Sequence, residues 1–193
     1  MDVASYLAGL PAGLASYPEC QAKVAVARSF VERLEQHSPE LRLDPDLRAA
    51  VDGPVSAWLP ETASTAIFLA ARGAFAGDEP FLRWVEDADR ELLSGRLYRA
   101  LFWLVGPKRV LRAGAERWER LHRGTTLHLE HMGDHDARAR LTYPHGLFPP
   151  LAIAAYAGSF RVALELAGAA RCACSVHEQT PTHALFVAHW DDH

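Results

Sequence analysis

The spacing of apolar residues divides the chain into two parts with different periods. Between Glu19 and about Gln36, Val24, Phe30, Val31 and Leu34 recur at helical intervals, with Arg28, Glu32, Arg33 and Glu35 elsewhere, which predicts an amphipathic helix. A short helix is expected over 44–51, because Asp44 suits an N-cap and Pro45 suits the first helical position, where its missing N–H costs nothing. WLPETAS opens another. Pro60 takes its first turn, Glu61 lies at the positive end of the helix dipole, and Ile67, Phe68 and Ala71 follow on one face. Gly77-Asp78-Glu79-Pro80 breaks that pattern before a helix over about 80–94 carrying Phe81, Trp84, Val85 and Leu92. Gly95 and Gly106-Pro107 bracket a more apolar helix with Leu97, Leu101, Phe102 and Leu104, expected at the centre of the helical layer because both its faces read as buried. Residues 107–122 return to amphipathic spacing, and Gly124 is expected to end them.

Beyond Gly124 the period falls to two. Thr126 to Glu130 and Ala137 to Tyr143 alternate around the turn Met132-Gly133-Asp134-His135-Asp136. Leu151 to Ala167 has the length of a helix stopped near Gly168, and two further alternating runs, Arg171–His177 and His183–Trp190, flank a turn at Glu178 to Thr182. The expected class is α+β. A helical N-terminal half, 1–124, precedes a strand-strand-helix-strand-strand unit, 125–191, that forms an antiparallel sheet with a covering helix, the whole making one domain.

Composition narrows the function. The 193 residues carry 20 basic and 24 acidic side chains, a formal charge of -4, which argues against a general nucleic-acid binder. No apolar stretch approaches the roughly 20 residues of a membrane span, and Met1 to Cys20 lacks the basic head and apolar core of a signal peptide. Three cysteines make no disulfide framework, so a reduced, cytoplasmic protein is expected.

Ten histidines make metal chemistry the first thing to test. Cys172 and Cys174 share a strand face, and with His177 they are the candidate metal ligands, although His177 has the opposite parity and the pair lacks zinc-knuckle spacing. Buried small hydrophobes are the simpler reading of both cysteines. His128 is expected to face solvent with Glu130, and His131 and His135 to flank a turn. There is no Gly-x-Ser-x-Gly elbow, no His-Glu-x-x-His and no phosphate-cradling glycine loop, so no catalytic residue and no cofactor is assigned. The turn Val105-Gly106-Pro107-Lys108-Arg109 is compact and basic, which suits an anion at a helix start. With Trp103 and Trp118, expected at the helix–sheet junction, Lys108 and Arg109 form the candidate ligand-binding set.

The run from Leu101 to Trp118 also carries a resemblance. Its Gly-Pro-type turn leading into a helix that ends near an aromatic residue resembles a large paralogous family of myxobacterial proteins of similar length. The likeness continues through Leu127-His128-Leu129 and Gly133, resumes at Pro149, follows the helix to Leu164–Ala169 and closes on Phe186-Val187-Ala188-His189-Trp190. The early segment Val55 to Leu59 is similar as well, so the resemblance spans about residues 50 to 190. That family is distantly similar to 4-vinyl reductase-like domains and to haem nitric-oxide-binding domains, which implies a helical first part, a C-terminal antiparallel sheet and small-molecule sensing or adaptor work. Haem sensors of that kind use a proximal histidine in a helix and a Tyr-x-Ser-x-Arg motif. This chain has Tyr98-Arg99 without the motif, so haem is not expected. The 4-vinyl reductase-like domains often carry C-terminal cysteines suited to metal, for which Cys172 and Cys174 are the candidates.

The functional expectation is a non-enzymatic regulatory or sensory module. It would bind a small apolar molecule in a pocket between the helical half and the sheet, or a signalling protein partner. The alternatives are a homodimerising scaffold, marked by a large apolar patch, and a metal-dependent enzyme, marked by three converging ligands with an open position.

Overall fold

A computed structural model describes residues 1–94 and 96–191, with only the backbone course given for 96–105. Among these residues the helices are α1 (Val3–Ala8), α2 (Val24–His37), α3 (Pro45–Val51), α4 (Glu61–Arg72), α5 (Asp78–Leu93), α6 (Arg96–Arg117) and α7 (Pro150–Leu166). The strands are β1 (Gln21–Lys23), β2 (Trp58–Pro60), β3 (His122–Arg123), β4 (Thr126–Met132), β5 (Asp136–Thr142), β6 (Ala170–Gln179) and β7 (His183–Asp191).

The expected α+β architecture is present. In α2 the buried residues Val24, Ala27, Val31 and Leu34 follow the helical period. Asp44 caps α3, its carboxylate accepting from the Asp46 N–H at 2.9 Å, with Pro45 in the first turn. Gly106 interrupts α6 at φ 72°, ψ 168°, a conformation open to glycine, and Pro107 begins its second segment. The expected central burial of Leu97, Leu101, Phe102 and Leu104 lies outside the described side chains. Among the described helices α4 is buried on most sides, from Glu61 and Thr62 to Leu69 and Ala71.

Two expectations are corrected. The segment after Glu19 does not begin as helix. Gln21–Lys23 forms the middle strand of a three-stranded antiparallel sheet, β2-β1-β3, in which Ala22 pairs with Leu59 and His122. Nor does Gly124 end α6. The helix stops at Arg117, a 3₁₀ turn over Trp118–Arg120 follows, and Gly124 at φ 70° turns the chain from β3 toward β4. The reason for glycine there is contact as well as φ. A Cβ at 124 would lie 2.7 Å from the Cys20 sulfur and 2.7 Å from the Glu19 carbonyl oxygen.

The larger sheet has the order β4-β5-β7-β6, antiparallel throughout. Its inner face meets α7, where Ile153 and Ala157 share a core with Leu141, Ala184 and Phe186. Phe160 stands edge-on to Phe186, with ring centroids 5.0 Å apart. Behind α7 lies α5, joined to it by the ion pairs Glu86–Arg161 and Arg90–Glu165, the latter at 3.0 Å. The approach is close at Gly158, where an added Cβ would sit 2.8 Å from Glu86 Oε1. No described helix is long and apolar enough to cross a membrane.

Candidate functional site

The second segment of α6 lies over the open end of the large sheet without filling the space beneath it. Its residues Ala113, Gly114 and Ala115 are small, as are Ala139 on β5 and Ala163 on α7, which face the same space. Leu127 and Leu129 of β4 point inward by strand alternation yet stay only half-buried, because small side chains oppose them. The result is a cavity of about 480 Å³, walled by Leu111, Leu127, Leu129, Phe160 and Trp118. That volume lies within the range of small-molecule sites. Its charged lining residues are Arg109 and Arg117, both exposed at the rim, and no carboxylate lines it among the described residues.

Trp118 is fixed by contacts on two sides. Its indole Nε1–H donates to Thr125 Oγ1 at 2.9 Å. Its ring stacks on His122, 4.2 Å between centroids and 16° from parallel, and meets Tyr156 edge-on at 5.4 Å. His122 is held in turn by β3–β1 pairing, and its Nδ1 lies 3.0 Å from Glu61 Oε2 at the start of α4. Both members of this pair are buried, Glu61 being 1% and His122 8% exposed. Burial, and next the nearby Glu61 charge, push the Tyr156 phenol well above its usual range.

Of the residues singled out from the sequence, Arg109 and Trp118 come together on this cavity. Lys108 lies off it, exposed and paired with Asp134. The side chain of Trp103 is outside the described residues. The structure does not bring Cys172, Cys174 and His177 together. Both cysteines face inward from β6, whereas His177 is exposed on the other face, at a break in the β6–β7 register. Burial pushes the Cys172 thiol up to about 11 and the Cys174 thiol up to about 12, against the thiolate a metal requires. Among the described residues no group of three or more His, Cys, Asp or Glu has the geometry of a metal site. His128 is exposed, as its strand parity predicts, and His131 pairs with Asp136 at 3.0 Å.

The place of Glu61 in the first helical turn predicts only a dipole-favoured carboxylate, and nothing local to Glu61 or His122 foretells their burial and pairing.

The chemistry of the lining bears on cofactors. Haem iron is held by histidine, cysteine, methionine or tyrosine, and the described lining of the larger cavity contains none of these. Cys174 lines a void of about 20 Å³ that shares Leu111, Leu129, Ala139 and Phe160 with the larger cavity.

No protein-family model matches the sequence, and no curated protein matches it. Solved structures do. The fold is similar to the crystal structure of an Fe(II) unliganded H-NOX protein from K. algicida, with a TM-score of 0.60 and 10% identity over 89% of this chain and 97% of that one. It is also similar to a Cs H-NOX mutant carrying 4-cyano-L-phenylalanine, with a TM-score of 0.55 and 8% identity over 88% of this chain and 97% of that one. At such identity the likeness establishes an H-NOX-like fold and nothing finer.

Proposed function

We propose that this chain is a non-enzymatic sensory module whose cavity between α6 and the large sheet binds a small, mainly apolar molecule bearing an anionic group. One observation carries the reading. A cavity of about 480 Å³ is walled by Leu, Ala, Phe and Trp side chains, and its charged lining residues are Arg109 and Arg117. The apolar wall supplies affinity and the arginines select the charge at one end. The resemblance to myxobacterial paralogues and 4-vinyl reductase-like domains, and the H-NOX-like fold, favour the same sensory role, exercised through a signalling partner.

Among the described residues the cavity lining offers haem iron no axial ligand. The module is therefore proposed as an H-NOX-like fold put to use for a different small molecule.

Titration with 8-anilinonaphthalene-1-sulfonate and with decanoate, followed by Trp118-sensitive fluorescence and native mass spectrometry, tests the proposal. Both are expected to bind. The double reversal R109E/R117E is expected to weaken them by about tenfold, since two exposed charge contacts together supply ~1.4 kcal/mol. Absence of binding by both probes, or equal affinity in the double variant, overturns the reading. Native mass spectra also report whether the chain associates with itself.

A further inference from the structure

A second cavity, of about 160 Å³, lies among α2, α4, α5 and α7 on the far side of His122. Its ionisable lining differs from that of the first: Glu61 and His122 contribute, and no lysine or arginine does so among the described residues. Phe30, Phe68, Phe148 and Tyr156 supply aromatic surface around them. Val26, which is 43% exposed on α2, stands at the rim.

The Glu61 carboxylate is the unusual group. It is buried, and of its two oxygens Oε2 meets His122 Nδ1 at 3.0 Å. A carboxylate has about four acceptor positions, and among the described residues no other donor reaches this one. Glu61 lines the cavity, so its remaining acceptor capacity is open to a donor held there. Among the described lining residues no basic side chain besides His122 answers it. Aromatic faces attract cations but give water no strong hydrogen bond, so carboxylate and rings together favour a cation over water. The volume corresponds to roughly five water-sized groups, enough for an ammonium on a short stem and too little for a macrocycle.

We propose that this cavity is a binding site for a small primary ammonium ion on a short apolar stem, its N–H groups donating to Glu61 and its charge resting against the surrounding rings. The site is separate from the cavity of the sensory reading and does not depend on it.

The test uses the full chain at pH 8 with three probes of matched size: n-butylammonium chloride, n-butanol and sodium butyrate. Ligand-detected NMR and thermal shift read the binding. Butylammonium is expected to bind at least about tenfold more tightly than butanol or butyrate, the difference one charge-assisted hydrogen bond makes. Glu61→Gln keeps an acceptor for His122 and the side-chain shape, and is expected to weaken butylammonium by about ten- to a hundredfold. R109E/R117E is expected to leave it unchanged. Equal binding of the three probes, full affinity in E61Q, or no butylammonium binding overturns the proposal and leaves a water-filled cavity. Should E61Q fail to fold, the charge selectivity of the native chain decides, with Phe68→Leu as the second variant, expected to weaken butylammonium severalfold through loss of a ring face.

Discussion

Replacing Ala163 by leucine should stabilise the protein, and the sign of that change is the sharpest test of the larger cavity. Ala163 faces the cavity from α7, so the three added carbons enter space walled by Leu127, Leu129 and Phe160. Each buried methylene contributes about 0.8 kcal/mol, ordering a leucine costs roughly 0.5–1 kcal/mol, and leucine is close to alanine in helix propensity. The expected net gain is about 1–2 kcal/mol, which for a chain of this size raises Tm by roughly 2–8 °C. Ala157, six residues earlier on the same helix, is the control. It is buried in the core shared by Leu141, Ala184 and Phe186, where three extra carbons have nowhere to go. There Ala157→Leu should cost about 1–3 kcal/mol through displaced rotamers and backbone. Urea denaturation followed by far-UV circular dichroism measures both, with the slope checked for constancy. If Ala163→Leu destabilises as Ala157→Leu does, α6 closes onto the sheet and the cavity reading is wrong. The same variant should also weaken 8-anilinonaphthalene-1-sulfonate, because the leucine occupies part of the probe's volume.

Other consequences can be measured alongside. Gly124→Ala places a side chain at positive φ against the Cys20 sulfur and the Glu19 carbonyl, so a loss of about 2–4 kcal/mol is expected in thermal unfolding; a Tm close to the parent would contradict the packing described. Lys108→Ala should leave the affinity for decanoate within about twofold of the parent, since Lys108 is off the cavity and its exposed pair with Asp134 contributes little. Stability should fall as pH rises above the unfolded thiol range. Burial raises Cys20 and Cys172 to about 11 and Cys174 to about 12 in the folded chain, so between pH 9 and those values the unfolded state sheds protons that the folded state keeps. Equal urea midpoints at pH 7 and pH 10 would show that the thiols are not held in this way.

The parts legible in the sequence are those whose causes are local. Asp44-Pro45, the Gly106-Pro107 break and the two hairpins of the large sheet each rest on a few consecutive residues, and the structure places them where the pattern does. The small sheet was not legible. Strands of two or three residues show no alternation, and Ala22 meets Leu59 and His122 only through tertiary folding. The site divides in the same way. Arg109 and Trp118 stand out as a basic turn and an aromatic residue, but alanine and glycine at 113–115, 139 and 163 give no sign in the sequence that they leave room between them. Glu61 and His122 escaped notice because the burial that makes them unusual is set by neighbours far away in the chain.

Trp118 is a party wall. One side of its indole bounds the larger cavity, and its ring lies flat on His122, which bounds the smaller. A molecule on one side that tilts the indole must disturb the histidine stacked on it, and thermodynamic reciprocity requires that an occupant on the other side feel the same factor in return. The fluorescent side chain best placed to register either occupant is thus the one through which each would sense the other.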